Sequence, residues 1–247
     1  GAEGRGGAPR PAFWRASTDN DRGCSFPQRA AVWMGADVFV QRMGFTVQEK
    51  SAQCVRVQYR FGVPGVPGAQ VEMIYTVEAQ GALRLDAVYH GVPGAPELPC
   101  FGIKFETAAP VVRTRWTGLS GETYPDRGGG GVFGCHEEPP HIEPALVPQD
   151  CGLHMDTQQV NLQLADGKTL TLESTGEAFA FSALPNTAQQ IEAAQHPCEL
   201  PETGRTCVTV LGAARGVGGI DSWGTDVEAP YHVNGEQQHS VSLRILL

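Results

Sequence analysis

Residues 13–23, Phe-Trp-Arg-Ala-Ser-Thr-Asp-Asn-Asp-Arg-Gly, set two arginines and two aspartates beside a tryptophan. Asp19, Asn20, Asp21 and Gly23 are the residue types of a calcium loop. The spacing argues against that chemistry: the glycine stands at the fifth place, and the twelfth holds Ala30 where a bidentate glutamate is required. Arg15, Asp19, Asn20 and Asp21 are read instead as a structural clamp that ties loops together through charge-assisted hydrogen bonds. A second set, Cys135, His136, His141, Cys151, His154, His196 and Cys198, offers thiolate and imidazole ligands. Cys151-x-x-His154 is only half a zinc signature and no matching second half follows, so no metal is expected. Glu122, Asp126, Glu137, Glu138 and Asp221 could supply carboxylates, but a glycosidase pair must face each other about 5–9.5 Å apart, which spacing cannot establish. Gly-Leu-Ser-Gly-Glu at 118–122 lacks the nucleophile-elbow pattern. The sharpest segment is 216–226, where Trp223 stands among four glycines with Asp221 and Ser222 beside it. An indole there either caps a sheet or offers its face to a ligand, and sugars present flat C–H faces to such rings with hydroxyls for Asp and Ser. The residues alone leave both readings open.

Such side chains need a scaffold, and the scaffold is β. Val55, Val57, Tyr59, Phe61 and Val63 alternate with polar neighbours. Residues 71–77 and 83–89 form a hairpin turning at Gln80-Gly81, and 160–164 with 170–172 form another around Asp166-Gly167. Further strands are expected in 102–107, 111–116, 178–184, 207–213 and 239–247. Helix is confined to Gln28–Phe39 and Thr187–Gln195, the latter with Asn186 as N-cap. The expected fold is an all-β, many-stranded antiparallel sandwich with one or two short helices. Four polar, aromatic-rich loops, 13–30, 116–131, 133–156 and 216–226, carry the candidate chemistry.

The 247 residues are 41% hydrophobic, enough for one large β domain. Residues 1–10 read as a flexible leader and 11–247 as a single domain. A net charge of −9 with no basic run argues against nucleic acid, and no stretch approaches the ~20 apolar residues of a spanning helix. Seven cysteines without CxxC fit reduced thiols and a cytoplasmic location.

Several of these segments, taken together, resemble one family. Residues 13–23 resemble the Phe-Trp-Arg-Ala-Pro-Thr-Asp-Asn-Asp-x-Gly motif in the C-terminal small-chain domain of the large family-2 glycoside hydrolase β-galactosidases. Trp116–Arg127 is similar to that domain's Gly-x-Gly-Pro-x-Glu-Asn-Tyr-x-Asp-Arg stretch, and Val147–Gly152 to its Pro-Gln-Glu-Asn-Gly. Residues 181–200 and 216–224 match two more motifs, the last ending Gly-Gly-x-Asp-Ser-Trp. The resemblance implies the supersandwich shared with galactose mutarotases. It also implies that the catalytic glutamates and active-site metal ligands lie on a separate TIM barrel, leaving no catalytic residue and no cofactor in this chain. Trp223, with Asp221 and Ser222, would contact a galactose or β-galactoside at the mouth of the site. The loop of Gly23, Cys24, Ser25 and Phe26 would move beside it.

Ser17, Thr123, Cys151, His154 and Ile220 depart from the family pattern. The resemblance implies several strands before the Trp-Arg-Ala motif, and this sequence is expected to lack them. Their absence would leave an open sheet edge, from which self-association or binding to a catalytic-barrel partner is expected. Two other readings share the fold. One is a mutarotase-like enzyme with its acid and base drawn from His136, His141, His154, Glu122 and Asp221. The other is a free-standing carbohydrate-binding module.

Overall fold

The computed structural model describes residues 7–140 and 145–246; His141 therefore lies outside the described residues. Alternating apolar positions produce fourteen strands among them: β1 (Arg10–Ala12), β2 (Gln41–Lys50), β3 (Cys54–Gly62), β4 (Gln70–Glu78), β5 (Leu83–Tyr89), β6 (Cys100–Glu106), β7 (Val111–Leu119), β8 (Phe133–Glu138), β9 (His154–Thr157), β10 (Gln159–Leu164), β11 (Thr169–Ser174), β12 (Phe179–Leu184), β13 (Cys207–Ala214) and β14 (His239–Leu246). The strand pairings among the described residues are antiparallel. They build a nine-stranded sheet, β2-β3-β4-β5-β14-β11-β10-β7-β8, faced by a five-stranded sheet, β1-β6-β13-β12-β9. In the large sheet, β14 joins two halves by pairing with β5 on one side and β11 on the other.

The core lies between the layers. Met73, Leu85, Val160, Leu172 and Leu243 of the large sheet meet Phe101, Ile103, Phe181, Val208 and Val210 of the small one, with the two faces interdigitating as in other sandwiches. Phe13 stacks on Trp33 at 5.5 Å, with Tyr89 and Phe101 packed around them. The two hairpins form where the alternation placed them, and Asp166-Gly167 makes the tight turn with Gly167 at φ +86°.

Among the described residues four short α-helices join the strands: α1 (Asp19–Gly23), α2 (Phe26–Arg29), α3 (Ala31–Phe39) and α4 (Ala188–Ala193). The helix expected over 28–39 is thus broken at Ala30, whose φ/ψ of −99°/5° separates α2 from α3. The N-cap of α4 is Thr187 and not Asn186. The Thr187 hydroxyl accepts from the Gln190 N–H while the Gln190 side chain accepts from the Thr187 N–H, a reciprocal cap. Asn186 instead donates to the Pro201 carbonyl.

Two residues of the expected leader belong to the fold. Arg10 pairs with Lys104 in the sheet, and the Pro9 carbonyl accepts from the Tyr75 hydroxyl at 2.6 Å. One internal knot fixes this entry point. The fully buried Asp37 of α3 accepts from the N–H groups of Phe13 (2.8 Å) and Trp14 (3.3 Å), from the Lys104 ammonium, and from the Gln189 side chain. One carboxylate therefore joins α3, the segment after β1, β6 and α4.

Candidate functional site

The site is assembled at the chain turn that follows β13. There Arg215 is completely buried and spreads its guanidinium among three carboxylates. It reaches Glu97 at 2.6 Å, Asp21 at 3.1 Å, and Asp226. The guanidinium carbon also lies 3.8 Å from the centroid of the Phe26 ring, a cation–π contact in a desolvated place. Arg15 closes on Asp21 from the other side with two hydrogen bonds, 2.6 and 3.2 Å, in the fork geometry that planar guanidinium allows. Asp21 also accepts from the backbone and hydroxyl of Thr18, the residue that caps α1. Burial opposes its ionisation, but Arg15 and these hydrogen bonds hold the carboxyl below its usual range.

The four residues read as a clamp take different positions. Arg15 and Asp21 form this buried pair. Asp19 is exposed and pairs with Arg22 along α1, and its N–H donates to the side chain of Gln149. Asn20 rests against the glycines of the 216–226 loop, where a Cβ on Gly219 would come within 2.8 Å of its amide nitrogen.

That loop has a buried root and an exposed tip. The Asp126 carboxylate accepts from the N–H groups of Val217 (2.9 Å) and Gly218 (2.7 Å), and Arg127 donates to the Gly218 carbonyl. Tyr-Pro-Asp-Arg at 124–127 is therefore the loop's support. Gly216 is required here, because a Cβ would lie 2.7 Å from the Asp126 carboxyl carbon. At the tip, Asp221 accepts from the N–H groups of Trp223 (2.9 Å) and Thr225 (3.3 Å) and from the Thr225 hydroxyl. The Thr225 hydroxyl and these N–H groups hold its carboxyl below the usual value. Asp221 thus shapes the turn that displays its neighbours. Ser222 is exposed, and Trp223 is 91% exposed, whereas Trp14, Trp33 and Trp116 are all buried. The ring is therefore not folded over a sheet end. Gly224 then turns back at φ +82° so close to the Gly23 carbonyl that a Cβ would stand 2.6 Å away.

This contact brings the Trp223 loop to the segment Gly23-Cys24-Ser25-Phe26. That segment links α1 to α2, with Ser25 in the left-handed region at φ 59° and Phe26 buried under Arg215. Asp226 anchors the far side. Burial works against its charge, yet Arg29, the Val227 N–H and Arg215 hold its carboxyl at about 2.

The other candidate acids and bases do not gather here. Glu122 accepts from the Gly152 N–H at 2.5 Å. His154 is buried, faces the Gly121 carbonyl and Glu138, and packs with His136 against Trp116. His196 pairs with Glu199 on the surface. Among the described residues no three His, Cys, Asp or Glu side chains come together as a metal-ion cluster. The residues that sequence reasoning missed are Arg215, Glu97 and Asp226. A lone arginine closing an apolar strand was their only local signal.

Asp150 lies beneath Arg15 and accepts from the Tyr124 hydroxyl at 3.0 Å. Burial pushes its carboxyl up to about 7, assisted by Asp21 and Glu122 and resisted by Arg15 and Tyr124. A folded-state value above the ordinary 3.8 means that the native protein holds the extra proton between those limits. The associated stability is full below about pH 4 and is lost as pH rises through about 7. Urea midpoints at several pH values check this: Asp150→Asn should gain on the parent protein as pH rises across that window, and the difference between the two should be constant below it and constant, at its larger value, above it.

Fold and site together define a two-sheet β-sandwich that displays an aromatic loop on a buried ionic root. Comparison with known proteins narrows this class. The β-galactosidase small-chain family matches residues 3–245. The β-galactosidase small subunit of Latilactobacillus sakei is 40% identical over 96% of this chain and 84% of its own length. β-Galactosidases of Streptococcus thermophilus and Halalkalibacterium halodurans are 32% and 33% identical over 96% and 93% of this chain. The chain spans only 23% of either enzyme. The chain belongs to the β-galactosidase small-chain family.

Proposed function

We propose that this chain is the sugar-facing wall of a family-2 β-galactosidase. It acts with a TIM-barrel part that carries the catalytic glutamates and cleaves terminal β-D-galactosides. The observation that supports this reading best is Trp223, presented to solvent on a loop whose root is held by Asp126, Arg127 and Arg15. A ring pre-positioned in this way stacks on a pyranose without first ordering its own loop. Exposed Ser222 lies beside it for a hydroxyl, and the Gly23–Phe26 segment is the part of the wall that moves. The small-subunit relative, which this chain covers for 84% of its length, supports a division of labour between chains. The mutarotase-like reading is less well supported, because Asp221 is engaged in its own turn and His154 is buried at β9.

Galactose titration followed by tryptophan fluorescence tests the reading. The other three indoles are buried, so a quench or shift reports on Trp223. Trp223→Ala should abolish the response with no change in the urea midpoint, because an exposed ring contributes little to folding. An undiminished response in the variant would remove Trp223 from the sugar contact.

A further inference from the structure

The 216–226 loop is fastened at both ends by one short stretch of chain. At its near end the Gly216 N–H donates to the Tyr231 carbonyl at 3.0 Å. Its far end is met by the next residue, His232. Nε2 of that ring lies 3.0 Å from the Val227 carbonyl oxygen, and Nδ1 lies 2.7 Å from Oε1 of Glu97. Glu97 is fixed in turn, because Arg215 donates to the same oxygen at 2.6 Å. The Leu98 N–H donates to the Val233 carbonyl at 2.9 Å, which pins the backbone beside both partners. The Val227 N–H donates to Asp226, itself paired with Arg215, so the ring grips the residue that joins the loop to its ionic root.

Both ring nitrogens therefore face oxygens that accept. A neutral imidazole has one N–H and one lone pair, so either tautomer sets a lone pair against an oxygen, whereas the imidazolium donates at both. When the second proton leaves, the remaining N–H stays with Glu97, where the bond is charge-assisted. Nε2 then turns a lone pair on the Val227 carbonyl. The side chain is 35% exposed, so its proton reaches solvent without any opening of the fold. The other ionisable groups of the elements that meet here are Glu97 with Arg215, Asp226 with Arg29 and Cys24, Asp21 with Arg15 beyond Arg215, and exposed Glu228. Histidine is the side chain among these types that ordinarily exchanges its proton near neutrality.

We propose that His232 is a positioning residue for the Trp223 loop. As an imidazolium between Glu97 and Val227 it fixes the far end of the loop, and loss of its second proton as pH rises releases that end. The consequence for binding rests on the sugar-site reading. A released loop holds Trp223 in its stacking position for less of the time, so galactose should bind about threefold or more weakly above the histidine range than below it.

The test compares the parent chain with His232→Gln and His232→Asn at about pH 5.5 and about pH 8.5, on either side of the histidine range. Glutamine reaches the place of Nε2 and donates to Val227 without titrating, whereas asparagine reaches only the place of Nδ1. The readout is carbon relaxation of the Ile220 methyl groups, which lie on the exposed loop and carry no exchangeable proton. In the parent the Ile220 order parameter should fall from the lower pH to the higher, in step with the His232 ring proton shifts. It should stay high at both values in His232→Gln and low at both in His232→Asn. Asp150→Asn should behave like the parent, which separates this proton from the one held at Asp150. No change in the parent, the same change in His232→Gln, or a rigid loop in His232→Asn at the lower pH would each overturn the proposal. Galactose titration of the parent is read separately. Binding of equal strength at both values would overturn the positioning role, whereas no binding at either would reject the sugar-site reading and leave the methyl relaxation to decide this one.

Discussion

Asp37→Asn is expected to lower the unfolding free energy by about 3–5 kcal/mol, the range for breaking a buried ion pair from one side. The new amide can still accept from the N–H groups of Phe13 and Trp14, so the backbone donors keep a partner. Lys104 does not: its ammonium, only 5% exposed, would lie in the interior without an anion. Gln189 would present its donor to a neighbouring donor. Adding Lys104→Met should recover part of the loss, because it removes the uncompensated cation while the introduced amide continues to serve the backbone. Urea midpoints of both single variants and the double variant measure this coupling directly. Single-variant losses that simply add in the double variant would show that the ion pair contributes no coupling of its own.

Arg215→Met should cost less, about 3 kcal/mol, with a fall of roughly 6–12 °C in the thermal midpoint for a protein of this size. Each carboxylate it serves retains another cation or donor: Asp21 keeps Arg15, Asp226 keeps Arg29, and Glu97 keeps the His232 ring. What is lost is their common hub and the cover over Phe26. Arg215→Lys should behave more like methionine than like arginine, because one ammonium cannot reach three carboxylates or lie flat on a ring. The effect should reach the sugar-facing loop. Both Arg215 and Arg15 donate to the Gly216 carbonyl at the loop root, so amides of 216–226 should exchange faster in the variant while those of β12 remain protected. Hydrogen exchange resolved by residue separates this from a uniform loss of stability.

The parts legible in the sequence were those whose determinants are local. Asp166-Gly167 and the alternation on either side specify β10 and β11 within about fifteen residues. The same holds for the β4–β5 hairpin and for the inward face of β7. Trp223 was visible as a ring among glycines, although its direction was not, because direction depends on Asp126 and Arg127, which lie far earlier in the chain. β2 was missed even though Met43, Phe45 and Val47 alternate. It is exposed along nearly its whole length and bulged at Met43 and Gln48, so its pattern reflects no burial in the sandwich core. Asp37 and Arg215 had no local signature. The partners of Asp37 come from residues 13, 14, 104 and 189, which only the folded topology brings together.

The position of β14 also bears on how the protein is made. Residues 41–89 and 111–174 can each form their own antiparallel run as they leave the ribosome, but both runs end at an unpaired strand, β5 or β11, until His239–Leu246 are synthesised and inserted between them. Between the synthesis of β11 and that of β14 the nascent protein therefore carries two half-sheets with adhesive margins, a form prone to pairing with neighbouring nascent chains. Slow elongation near residue 240 would prolong that hazard, and a chaperone that shields β5 and β11 until β14 is inserted should raise the yield of native protein.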